Sequence, residues 1–150
     1  MFIPVNDILI RELRMADHHR LLSMMSATPG ITVRAADGFQ AMERYLARNP
    51  GLSFIAERGG ELVGCALAGH DGRRGYLQHV IVAPGHRRHG IGRELVNRCV
   101  SALDGEGIRK MHLDVMAGNE AVMPFWERLG WFRRDDLVRF SLITSQDDNA

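Results

Sequence analysis

A chain of 150 residues, 45% of them hydrophobic, is long enough to close one core, burying roughly 70% of its unfolded surface, and needs no second domain. Its 19 basic and 18 acidic side chains leave a net charge of +1, which gives no reason to expect a nucleic-acid or anionic-membrane surface. No apolar run approaches the roughly 18 residues of a membrane span, and the opening MFIPVNDILI lacks a charged leader and a small-residue cleavage site, so a cytoplasmic location is expected.

Residues 7–13 read as a strand by the alternation of Ile8 and Ile10, followed by a helix from about Ala16 with Leu21, Leu22, Met24 and Met25 as its apolar face. After the Thr28-Pro29-Gly30 turn, a second helix is expected from Asp37 as N-cap, carrying Phe39, Met42, Tyr45 and Leu46 to the breaker Asn49-Pro50-Gly51. Residues 52–58 and 61–70 are strands joined by Gly59-Gly60, a two-residue hairpin signal, and Asp71-Gly72 turns the chain into a strand over 75–83. Cys65 falls in the strand pattern and Cys99 in a helix stripe, without Cys-x-x-Cys or metal spacing, so both are expected as reduced, buried thiols, and no metal is called for.

The stretch that follows, YLQHVIVAPGHRRHGIG over residues 76–92, carries most of the functional information. Gly90 and Gly92 let the backbone turn and approach a ligand without a Cβ penalty, so consecutive N–H groups can face anionic oxygens. Arg87, Arg88 and Arg93 add positive charge, and the helix begun there contributes the positive end of its dipole. That helix shows Ile91, Leu95, Val96, Cys99, Val100 and Leu103 on one side, with Glu94 and Arg98 placed to pair on the other. A strand over 110–116, a helix over 119–129 and one or two closing strands within 131–143 complete the pattern, ahead of a polar tail at 144–150. Pro124 should kink a helix begun at Asn119.

The loop is neither Gly-x-x-x-x-Gly-Lys-Ser/Thr nor Gly-x-Gly-x-x-Gly. Arg87-x-x-Gly90-x-Gly92 after a strand instead resembles the acyl-CoA pyrophosphate loop of the GNAT superfamily of N-acyltransferases. NEAVMPFWERLGW over 119–131 is similar to the family's second signature, in the right order. The resemblance covers about residues 7–143 as one domain and points to a small bacterial branch. It implies an α/β fold: a mixed, mostly antiparallel central sheet with helices on both faces and splayed middle strands. It also implies acetyl-CoA as cosubstrate, its pantetheine arm bonded to the backbone of Val80, Ile81 and Val82, and its pyrophosphate at Arg87, Arg88, His89, Gly90, Ile91, Gly92 and Arg93. Asn119 and Trp126 would lie against the same ligand.

The reaction so implied is transfer of an acetyl group to a primary amine of a small molecule, by direct attack in a ternary complex. A protein N-terminal or lysine acetyltransferase and a non-catalytic acyl-CoA-sensing module are the alternatives, and a homodimer is left open. One departure from the family stands out. Trp126 occupies the place where many relatives carry a tyrosine that protonates the leaving thiolate, and an indole N–H is no general acid. The leaving thiolate is then expected to take its proton from water or the ammonium product, and the side-chain candidates for proton transfer are sought on the strand of residues 75–83. Tyr76 offers a substitute hydroxyl; for the general base, Gln78 has no basic group and His79 offers an imidazole, although alternation places it on the face of Leu77 and Ile81, away from Gln78. His70, Asp71, Arg73 and Arg74 in the preceding turn are candidates for the acceptor pocket, as against a plain solvated hairpin.

Overall fold

The computed structural model describes residues 7–150. They form two compact units, the first ending at Leu113 and the second running Asp114–Ala150.

In the first unit, strands β1 (Ile8–Glu12), β2 (Phe54–Arg58), β3 (Glu61–His70) and β4 (Gly75–Val82) pair antiparallel with their successive neighbours, and β5 (Met111–His112) runs parallel to β4. The Gly59-Gly60 hairpin forms as its sequence predicts, with φ of 56° and 81°, the left-handed conformation that a tight two-residue turn demands. β3 is buried continuously from Leu62 to Gly69, as expected of a strand covered on both faces. Helices α1 (His18–Ala27) and α2 (Phe39–Arg48) cover one face, where Leu21, Met24, Met25 and Met42 pack with Ile55, Cys65, Leu67 and Ile81. α3 (Ile91–Gly105) covers the other, so closely that a Cβ at Gly64 would lie 3.1 Å from Leu95. Ile91, Leu95, Val96, Cys99 and Leu103 of the stripe read from the sequence are buried, Val100 is half-buried, and Glu94 meets Arg98 at 3.5 Å. This is the mixed, mostly antiparallel α/β sheet with helices on both faces that was expected.

α2 is fastened to β3 at its far end. Asn49 accepts the His70 N–H at 3.0 Å through Oδ1 and donates to the Tyr45 carbonyl at 3.2 Å through Nδ2. Gly69 makes room for this latch, since a Cβ there would lie 2.7 Å from the Asn49 amide.

The start of α2 corrects the sequence reading. Its N-cap is Gly38, not Asp37. The chain first makes a 3-10 turn at Ala35–Asp37, and the Asp37 carboxylate turns back to accept the Arg34 N–H at 2.8 Å. An equivalent turn, Met15–Asp17, precedes α1, with Asp17 accepting the Arg14 N–H at 2.9 Å.

In the second unit, a 3-10 turn at Glu120–Val122 leads into α4 (Met123–Arg128). The kink expected at Pro124 is absent because α4 begins only one residue earlier, and the first turn of a helix has no acceptor for the N–H that proline lacks. The strand expected over 110–116 contracts to Met111–His112, and the closing strands expected within 131–143 do not form. Alternation gives propensity but no ladder partner, and a strand is stabilised by its neighbours. Phe140 and Leu142 are accordingly 93% and 88% exposed.

Candidate active site

β4 is paired on both sides only at its start. Gly75 and Tyr76 face Met111 and His112 of β5, and from Leu77 to Val82 β4 has β3 on one side and no strand on the other among the described residues. Val80, Ile81 and Val82, the expected pantetheine contacts, all lie in this stretch, whose outer edge has no strand to pair with, although the Val82 carbonyl accepts from Arg87 Nε.

The same stretch contains a bulge. Ile81 faces Cys65 while Gln78 faces Leu67, so β4 carries one extra residue against Ala66. His79 lies in the extra turn with φ of +48°, a left-handed conformation uncommon for any residue but glycine. The bulge overturns the simple alternation expected for this strand. Before it, Leu77 shares a face with Ala68 and Gly75, whose Cβ would meet Leu103 of α3; after it, Ile81 points to the α1 and α2 side. His79 is thereby aimed at the turn before α2, where its Nε2 lies 2.8 Å from Oδ1 of Asp37. Its carbonyl accepts a hydrogen bond from the Cys65 thiol at 3.1 Å. Burial pushes that thiol up to about 12, so it remains a protonated donor at neutral pH. Cys99, also raised by burial to about 12, is equally unavailable as a nucleophile.

Beyond β4 the chain makes a 3-10 turn at Pro84–His86 and enters the glycine loop. Arg88 and Gly90 take left-handed conformations, φ of 66° and 77°, on either side of His89. The Glu94 N–H, bonded to the Gly90 carbonyl at 3.1 Å, is the first to find an acceptor four residues back. The N–H groups of Ile91, Gly92 and Arg93 therefore head α3 without one. Nothing lies within 4 Å of where a Gly90 Cβ would point, so this mouth is open. Arg88, His89 and Arg93 are exposed around it, while Arg87 turns back to donate through Nε to the Val82 carbonyl at 3.0 Å.

The remaining candidates lie elsewhere. Gln78 is exposed next to the bulge, and Tyr76 rests at a ring distance of 5.8 Å from His112 at the start of β4. His70, Asp71, Arg73 and Arg74 form the β3–β4 turn, at the opposite end of β4 from the glycine loop. There Asp71 accepts the N–H groups of Arg73 and Arg74, both at 2.8 Å, and His70 Nδ1 accepts the Gly72 N–H at 2.9 Å. Asn119 and Trp126 belong to the second unit, where Asn119 precedes the 3-10 turn and Trp126 packs edge-on between Phe125 and Trp131 at 4.9 and 5.4 Å. Sequence reasoning missed Asp37 as the partner of His79. The available signal was the repeat of Arg-x-Ala-Asp at 14–17 and 34–37.

An open-edged strand running into a basic, glycine-headed helix start suits an extended ligand with an anionic end, as expected of an acyltransferase that uses acyl-CoA. The chain itself belongs to the acetyltransferase (GNAT) family, whose model matches residues 17–131. It is 35% identical over 97 residues to an acetyltransferase of Sodalis glossinidius (strain morsitans), covering 65% of this chain and 68% of that protein. The fold is similar to that of the aminoglycoside acetyltransferase AAC(6')-Iy in complex with a bisubstrate analogue of CoA, with a TM-score of 0.71, 20% identity and coverage of 91% and 98%. It is also similar to the ribosomal-protein-S18-alanine N-acetyltransferase from Escherichia coli, with a TM-score of 0.69, 20% identity and coverage of 82% and 76%. Among the described residues no helix is long and apolar enough to cross a membrane.

Acetyl-CoA is the cosubstrate of this family, and the residues present fit it. Three helix-heading N–H groups without helical acceptors and an open mouth at Gly90 suit the pyrophosphate, and the open outer edge of β4 suits the amide-bearing arm.

Proposed function

We propose that the chain transfers an acetyl group from acetyl-CoA to the primary amine of a small molecule by direct attack in a ternary complex, within one domain over residues 7–143. The observation that carries this reading is the stretch Leu77–Val82 of β4, paired with β3 along one edge and with no strand along the other, which leads within one short turn to the glycine loop. Bound acetyl-CoA supplies an activated thioester carbonyl. Backbone groups of Val80, Ile81 and Val82 hold the pantetheine arm, and an N–H in this stretch polarises the carbonyl as charge develops on its oxygen. Direct attack needs no enzyme nucleophile, in keeping with two buried, protonated thiols. Trp126 packs and does not protonate; the departing thiolate takes its proton from the attacking nitrogen or from water. The turn of His70, Asp71, Arg73 and Arg74 borders the acceptor end.

The test is CoA release from acetyl-CoA over a panel of amino acids, polyamines, aminosugars and short peptides, with calorimetric binding alongside. Turnover on a small amine supports the reading, turnover only on peptides shifts it to a protein acetyltransferase, and binding without turnover makes the chain a sensing module. In Gly90→Glu, a carboxylate enters the phosphate mouth, and acetyl-CoA affinity should fall by about 100-fold or more while the fold persists. Unchanged affinity would refute the loop assignment.

A further inference from the structure

We infer that Asp37 is the positioning residue for His79, and that this pair is the proton acceptor of the acetyl transfer proposed above, on which the inference rests. A carboxylate can only accept a hydrogen bond, so the 2.8 Å contact between Asp37 Oδ1 and His79 Nε2 fixes the proton on Nε2. The neutral ring then carries its lone pair on Nδ1, and Nδ1 has no hydrogen-bond partner among the described residues.

Both members are held. Asp37 is 5% exposed at its side chain; its Oδ2 accepts the Arg34 N–H at 2.8 Å, and its carbonyl accepts from His18 Nε2 at 2.8 Å. His18 is in turn packed edge-on against Phe39 at 5.5 Å. His79 is fixed through its backbone by the bulge and the Cys65 thiol. A left-handed residue in mid-strand persists only where its surroundings over-determine it. An imidazole serving merely to fill the core needs no such conformation. At 24% side-chain exposure the ring also reaches solvent, on the open stretch of β4 where the thioester arm is expected.

The other histidines on β3, β4 and the glycine loop lack this combination. His70 Nδ1 is taken by a backbone N–H, His86 Nδ1 lies 3.5 Å from the Arg58 guanidinium, and His89 is exposed in the loop itself.

The acceptor ammonium gives one proton to His79 Nδ1, forming imidazolium beside the Asp37 carboxylate. The neutral amine attacks the thioester carbon, the C–N bond forms and the C–S bond breaks. The second nitrogen proton passes to the departing thiolate, and the imidazolium returns its proton to water.

The experiment combines histidine 15N NMR of the full chain with kinetics of Asp37→Asn, His79→Ala and the double variant. In the wild type the His79 ring should show the Nε2-protonated tautomer, and in Asp37→Asn a mixture of tautomers. The kcat of Asp37→Asn should fall at least tenfold with acetyl-CoA affinity unchanged, and that of His79→Ala by about 10² to 10⁴. The double variant should be no worse than His79→Ala alone, because Asp37 acts through the ring. Asp37→Glu should restore part of the rate. A wild-type ring protonated on Nδ1, or losses that multiply in the double variant, would overturn the assignment. Should no amine be acetylated, the acetyl-transfer reading fails by itself, while the NMR result still decides whether the pair holds the tautomer.

Discussion

Asp17 and Asp37 occupy the same local device and do opposite work. Each ends a 3-10 turn of sequence Arg-x-Ala-Asp, each accepts the N–H three residues back, and each side chain is 5% exposed. Their outer partners differ. Asp17 faces two guanidinium groups, Arg11 at 2.7 Å and Arg20 at 3.0 Å, which also grip Glu57 at 2.6 and 3.2 Å. Arginine never gives up its proton near neutral pH, so this four-membered ring of charge is permanent and ties β1, α1 and β2 together. Asp37 faces an imidazole, whose proton can come and go. A turn that buries a carboxylate is thus a socket, and the partner decides whether it braces the fold or serves chemistry.

The comparison can be broken first by Asp17→Ala, which leaves two arginines sharing one carboxylate. It should cost about 3 kcal/mol and lower Tm by about 10 °C, with kcat per folded molecule unchanged. Thermal melts and active-site-normalised rates check it, and a loss of kcat at constant stability would erase the distinction from Asp37. Acid unfolding sharpens the contrast. The Arg11 hydrogen bond, with Arg14 and Arg20 behind it, lowers Asp17 from 3.8 to about 2. Its contribution is therefore complete above about pH 4 and drains away as pH falls toward 2, roughly 2 kcal/mol in all. Asp17→Asn should flatten denaturant-measured stability in that window, and an unchanged slope would show that other carboxylates dominate. The smallest effect belongs to the bulge. Glycine accepts a φ of +48° without a Cβ penalty, so His79→Gly should be more stable than His79→Ala by about 1 kcal/mol. Equal stabilities would mean that the bulge relaxes once the imidazole is gone.

Regular elements with their own punctuation were legible in the sequence. β3, its Gly59-Gly60 turn and the buried stripe of α3 follow from a continuous apolar run, a glycine pair and a 3.6-residue period. The turn of the glycine loop into α3 was legible for the same reason, since a left-handed helix start leaves its mark in a glycine. The bulge was not. Gly-Tyr-Leu-Gln-His-Val-Ile-Val contains no glycine or proline at the point of departure, and the alternation rule assumes the regular pleat that His79 breaks. Asp37 was misplaced by a single position, because a 3-10 turn before α2 moves the cap to Gly38 and frees the carboxylate for a partner 42 residues away. The 131–143 segment was over-read, its β propensity having no strand to pair with.

The latch at Asn49 has a mechanical consequence. With Asn49 fixed to β3 at the exit of α2 and Asp37 fixed to β4 just before its entry, the helix is pinned at both ends, like a beam on two supports. Either end can swing only by breaking the hydrogen bond that holds it, so α2 is braced against tilting and presents Asp37 to the imidazole on a supported frame.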